Sequence, residues 1–141
     1  MSDTVKFEFD NDSREKELAV IDGLRQFNFQ YLGQYKSEHL RLFAHDENGE
    51  VVGGLIGNVL LSWLYVDVLW VHEKVRTQGV GSRLLEMGLS RGKEMGAERA
   101  YLDTMGFQAA PFYEKNGFRE IFRFPNFANG FDRIVMLKDD L

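Results

Sequence analysis

Apolar and charged residues alternate from Val5 to Phe9, which predicts an opening strand. The period then lengthens. Asn11-Asp12-Ser13 offers side-chain oxygens for a helix start, and Leu18, Ile21, Leu24, Arg25 and Phe27 follow at helical spacing. Residues 27–35, aromatic and interrupted by Gly33, read as a loop or short helix. His39–Ala44 and Val51–Leu61 read as strands joined by Asp46-Glu47-Asn48-Gly49, whose Asn-Gly pair favours a hairpin. Trp63–Val71 is nearly all apolar, which predicts a central strand buried on both faces. From Gly79 to about Met95 the pattern is helical again, with Gly81, Leu84, Leu85, Gly88 and Met95 on one stripe and Gly96 as its stop. Ala100–Thr104 reads as a short strand and Gln108–Lys115 as a short helix ending at Asn116-Gly117. Phe118–Phe124 and Arg133–Lys138 read as closing strands across the turn-rich stretch Pro125–Gly130. A strand–helix–strand unit implies a parallel pair with a right-handed crossover. The expected fold is α/β (α+β), a central mixed sheet flanked by helices on both faces, in one domain over residues 1–141.

Composition narrows the chemistry. The 141 residues are 44% hydrophobic and 28% charged with a formal net charge of −5, enough for a core and unlike a disordered chain. There is no cysteine, which removes disulfides, thiolate metal sites and a Cys nucleophile. The first residues lack the basic and apolar regions of a secretion signal, and no stretch approaches the ~18 apolar residues of a membrane span. The expected setting is therefore cytoplasmic, without a membrane partner. The acidic balance argues against nucleic acid and suits a cationic small molecule or peptide. His39, His45 and His72 lack metal-ligand spacing, so no metal is expected. Gly88-Leu89-Ser90-Arg91-Gly92 has the spacing of a hydrolase nucleophile, but it lies mid-helix where that motif does not work. Its glycines read instead as places of close packing on the sheet.

The informative stretch is Val71-His72-Glu73-Lys74-Val75-Arg76-Thr77-Gln78-Gly79-Val80-Gly81-Ser82, where a strand ends and a helix begins across a Gly-containing turn. Glycines let a ligand approach the backbone, and a helix start offers unpaired N–H groups to an anion such as pyrophosphate. Arg76 adds a direct phosphate donor. The same residues also suit an ordinary strand-to-helix turn. Leu84 stands where a dinucleotide fingerprint needs Gly, and no Gly-Lys-Ser/Thr is present, so neither common nucleotide motif applies. Downstream, Tyr113 sits one turn before a Gly stop, placed either as a proton donor to a leaving thiolate or as core packing.

Arg76-x-x-Gly79-x-Gly81 at a helix start resembles the acetyl-CoA motif of the GNAT superfamily of N-acetyltransferases. Ala109-x-x-Phe112-Tyr113-Glu114-Lys115-Asn116-Gly117-Phe118 is similar to its second signature, at a matching distance. The resemblance implies a GNAT-like fold and an acetyl-CoA-dependent transfer to a primary amine by direct attack. The acceptor is a small amine or a peptide; a non-catalytic acyl-CoA-binding module and a protein-modifying enzyme are the alternatives. It further implies that the backbone N–H groups of Gln78, Gly79, Val80, Gly81 and Ser82 hold the pyrophosphate. The strand at Leu69, Trp70 and Val71 pairs with pantetheine and polarises the thioester carbonyl, and Tyr113 is the general acid. Many members carry Asn seven positions before the Tyr, where this chain has Gly106.

Asp67 is the leading candidate base, because a carboxylate inside an apolar strand needs a reason to be there. A structural carboxylate is the competing reading. Glu73, near the strand end, and Asp103, at the C-terminal end of its strand, are further candidates. Phe27, Phe29, Tyr31 and Tyr35 suit either an acceptor pocket or core packing. Edge strands near the C-terminus suit a homodimer.

Overall fold

The computed structural model describes residues 4–141, in two compact units, one ending at Tyr35 and the other spanning Lys36–Leu141. In the first, Ser13 Oγ accepts from the Lys16 N–H at 3.1 Å and opens α1 (Arg14–Leu32). The helix runs on through Phe27–Leu32, a stretch whose aromatics allowed a loop. Only at Gly33 (φ 73°), whose N–H donates to the Phe29 carbonyl at 2.9 Å, does it stop. Residues 4–10 form no strand, contrary to the alternation at Val5–Phe9. A two-residue period supplies two faces, but a strand also needs a partner ladder. Here Glu8 and Asp10 instead accept from Lys16 Nζ, at 2.6 and 2.9 Å.

The second unit is a six-stranded mixed sheet in the order β1-β2-β3-β4-β6-β5. Its strands are β1 (Ser37–His45), β2 (Val51–Leu60), β3 (Trp63–Val71), β4 (Arg99–Met105), β5 (Arg119–Ala128) and β6 (Phe131–Lys138). All neighbours are antiparallel except β3 and β4, which are parallel and joined by α2 (Val80–Glu94). The helix packs its Leu84, Leu85, Gly88 and Gly92 inward. A Cβ at Gly88 would lie 2.7 Å from Leu55, and one at Gly92 would lie 2.8 Å from Leu64. Glycine there lets α2 approach within contact of two fully buried leucines, each worth ~1.5–3 kcal/mol on burial. A short helix, α3 (Ala110–Lys115), contributes Tyr113 to the same core.

Two local expectations are corrected. Strand β5 continues through Pro125 to Ala128, with its register broken between Phe124 and Ala128, so the turn proper shrinks to Asn129-Gly130. Proline is tolerated there because β5 is the sheet's last strand and needs ladder bonds on one side only. The apolar β3 is not buried along its length: Leu64 and Val66 are buried, while Val68 and Trp70 are about half exposed. Its exposed half is where the site is built.

Candidate functional site

Strands β3 and β4 pair only over Trp63–Val66 against Arg99–Leu102, although β3 continues to Val71 and β4 to Met105. Beyond Val66 the parallel pair opens into a fork. A bulge marks the opening, because β2 residues Ile56 and Gly57 pair with Val68 and Val66 and leave Asp67 extra. One added residue shifts the side-chain alternation and bends the strand. Gly57 accommodates this, since a Cβ there would collide with the Tyr65 carbonyl. From Asp67 to Val71, β3 keeps β2 on one side and has no strand on the other among the described residues. That edge is free to take an extended ligand as an extra strand.

A cavity of about 700 Å³ fills the fork, lined by Leu69, Trp70, Val71, Arg76, Gly79, Gly81, Ser82, Phe107, Gln108, Ala109, Phe112 and Tyr113. Its floor is the start of α2. A 3₁₀ segment, Glu73–Gln78, turns the chain out of β3, and His72 Nδ1 accepts from the Lys74 N–H at 3.1 Å to begin it. Gly79 then adopts a left-handed conformation (φ 73°, ψ 16°) that disfavours side chains. The first α2 bond joins the Arg83 N–H to the Gly79 carbonyl at 3.1 Å, and no side chain caps the helix. The Val80, Gly81 and Ser82 N–H groups thus lack intrahelical acceptors, at the positive end of the helix dipole. Arg76 is anchored by Nε donating to the Val71 carbonyl at 3.0 Å and lines the cavity. This donor set suits a pyrophosphate, and the open β3 edge suits an amide-bearing arm. At Gly81 a side chain would enter the space between Val71 and Phe112, 3.6 and 3.8 Å from where its Cβ would lie.

Tyr113 faces this arrangement from α3. It is buried, with its ring against Phe112 and Phe118, and burial raises its phenol above the ordinary value. The hydroxyl therefore stays protonated at neutral pH.

The structure brings Tyr113 together with Leu69, Trp70, Val71, Arg76, Gly79, Gly81 and Ser82. Gln78 and Val80 belong to the same turn without lining the cavity. Asp67 is exposed, which overturns the burial argument for it: the bulge turns it out of the apolar interior. Asp103 is engaged, accepting from the Tyr65 hydroxyl at 2.9 Å and from Arg133. Burial, then this bond, push the Tyr65 phenol up to about 12. Glu73 is exposed at the start of the 3₁₀ segment. Phe29 and Tyr35 line a smaller cleft of about 330 Å³ within the first unit, with Asp22 and Arg25. Among the described residues no group of His, Asp or Glu could hold a metal ion, and no helix is long and apolar enough to cross a membrane. Sequence reasoning did not assign Phe107, Gln108, Ala109 and Phe112 to the cavity. Their signal is position: they directly follow β4, the strand that diverges from β3.

The model of the acetyltransferase (GNAT) family matches residues 7–118. An acetyltransferase of Agrobacterium fabrum is 36% identical over 107 residues, covering 76% of this chain and 78% of its own. The blasticidin-S acetyltransferase of Streptomyces morookaense is 37% identical over 98 residues, covering 69% and 72%. The crystal structure of an acetyltransferase from Bacillus cereus superposes with a TM-score of 0.83 at 30% identity, covering 94% of this chain and 96% of that one.

Proposed function

This chain belongs to the acetyltransferase (GNAT) family, as an acyl-CoA-dependent N-acetyltransferase, and from that premise we propose that it moves acetyl from acetyl-CoA to the primary amine of a small molecule. The observation that carries the reading is the β3–β4 fork, which unites the uncapped start of α2, an unpaired strand edge and Tyr113 around one cavity. Acetyl-CoA supplies the acetyl group as an activated thioester. The Gly79–Ser82 turn, together with Gln78 and Arg76, holds the pyrophosphate, and the Leu69–Val71 edge holds the arm. A β3 backbone N–H on that edge faces the thioester oxygen and stabilises the charge that develops there.

Tyr113 gives its proton to the departing sulfur. The amine attacks directly within a complex of both substrates, so no enzyme nucleophile is needed. An amine arrives largely protonated, and Asp67, one residue beyond the last β3–β4 pair, takes up its proton by way of solvent. The acceptor class is supported by the Streptomyces relative, whose name gives blasticidin S, a small molecule, as what it acetylates.

The test joins binding to turnover. Acetyl-CoA and CoA at ~100 times their dissociation constants should stabilise the protein by ~2.7 kcal/mol in a thermal shift, and NADH should not. With a panel of primary amines, wild type should form acetylated product, and Tyr113→Phe should slow turnover ~10²-fold or more at unchanged acetyl-CoA affinity. No shift with either CoA species would sink the reading. Equal loss of binding in Tyr113→Phe would reduce that residue to packing.

A further inference from the structure

The turn leaving β4 places an amide on the wall of the same cavity. The Gln108 backbone N–H donates to the Met105 carbonyl at 2.8 Å, closing the turn. Its side-chain Oε1 accepts twice, from the Met105 backbone N–H at 2.6 Å and from the Thr104 hydroxyl at 3.0 Å. Thr104 is a buried polar residue, so this bond satisfies a hydroxyl largely withdrawn from solvent. The Met105 donor also fixes which end of the carboxamide is which, since a backbone N–H meets only an acceptor. The Nε2 end, with two donor hydrogens, has no acceptor among the described residues. Gln108 is exposed and lines the cavity, among neighbours that are mostly apolar: Leu69, Val71, Phe107, Ala109 and Phe112. Gly106, in the same turn, offers no side chain at all.

We propose that Gln108 is a cofactor-binding residue whose Nε2 donates to an amide carbonyl of the pantetheine arm. One carboxamide then serves two ends: its oxygen locks the end of β4, and its nitrogen holds the arm in the fork. The inference rests on the acetyl-CoA reading of the site.

Gln108→Glu separates the two ends, because it keeps an acceptor for Met105 and Thr104 and removes the donor. Titration calorimetry with CoA and with 3′,5′-ADP, which carries phosphates but no arm, reads the result. Loss of one hydrogen bond should weaken CoA about fivefold. The affinity for 3′,5′-ADP and the melting temperature should not change. Gln108→Ala should weaken CoA similarly and also lower the melting temperature, since Thr104 and Met105 lose their acceptor. Unchanged CoA affinity in Gln108→Glu would overturn the proposal. Equal weakening of both ligands would overturn it too, by tracing the effect to added charge or a disturbed cradle. A wild-type protein that binds 3′,5′-ADP but not CoA would remove the arm from the fork and this contact with it. One that binds neither ligand would bring down the acetyl-CoA reading itself.

Discussion

Trp63–Val66 and Asp67–Val71 are consecutive stretches of one strand, both dominated by apolar residues, and the first is paired on both sides while the second is paired on one. In the first, Leu64 and Val66 are buried, and Tyr101 of β4 stacks on Tyr65 and meets Trp63 edge-on. In the second, Trp70 is about half exposed and lines the cavity with Leu69 and Val71. The comparison teaches how a sheet makes a binding edge. Hydrophobic content does not decide it; withdrawal of a neighbouring strand does, helped by one bulged residue. An unpaired edge is ordinarily a hazard for aggregation. Here the cradle at the foot of α2 and the β4–α3 turn enclose it.

The largest expected effect comes from filling the open half. Gly81→Trp places an indole between Val71 and Phe112, in the cavity proposed to take the arm and pyrophosphate. Binding of CoA should fall below detection in calorimetry. The protein should stay folded, because Gly81 is half-buried at the edge of the core and not within it. Unaltered CoA affinity in a folded Gly81→Trp protein would remove the cofactor from this cavity.

The closed half should answer in the opposite currency. Leu64 is fully buried and lies against Gly92 of α2, so Leu64→Ala should cost ~2–5 kcal/mol in urea unfolding. The CoA affinity of the folded fraction should hardly move. Trp70→Ala should do the reverse, with little loss of stability and weaker CoA binding. If the two variants gave the same pattern, β3 would act as one unit and the division at Val66 would have no energetic meaning.

What the sequence disclosed divides along the same line. The cradle was legible because it is local: a strand end, Arg76, a left-handed Gly79 and the α2 start occupy one continuous stretch. The helices, the hairpin and the parallel crossover were legible for the same reason, through period and turn chemistry. The fork was not, since the point at which β4 stops pairing with β3 depends on residues some 36 positions apart, Val66 and Leu102. The bulge at Asp67 was hidden too, and with it the exposure of that carboxylate, because an extra residue in one strand shows only against its partner. Val5–Phe9 carries a strand pattern with no ladder to join. Gln108 stood at the start of the predicted short helix, one residue before the second signature, yet its two-ended role needs the positions of Thr104, Met105 and the cavity together.

The smallest expected effect tests how firmly the closed half is tied on the face that carries Tyr65. Burial and a bond to Asp103 raise the Tyr65 phenol from 10.0 to about 12. A folded-state value above the unfolded one means that the native protein holds this proton more tightly. The associated stability is then complete below pH 10 and is lost progressively as pH rises through about 12. Lysines titrate in the same window, so the informative quantity is the difference from Tyr65→Phe, which has no proton to lose. Wild type should lose stability more steeply than Tyr65→Phe across that interval, and the two curves should run parallel near neutrality. Parallel curves at all pH values would mean that the Tyr65–Asp103 bond adds nothing to the pairing of β3 with β4. The junction would then rest on the ladder and on ring stacking against Tyr101, and Asp103 would be held chiefly by Arg133.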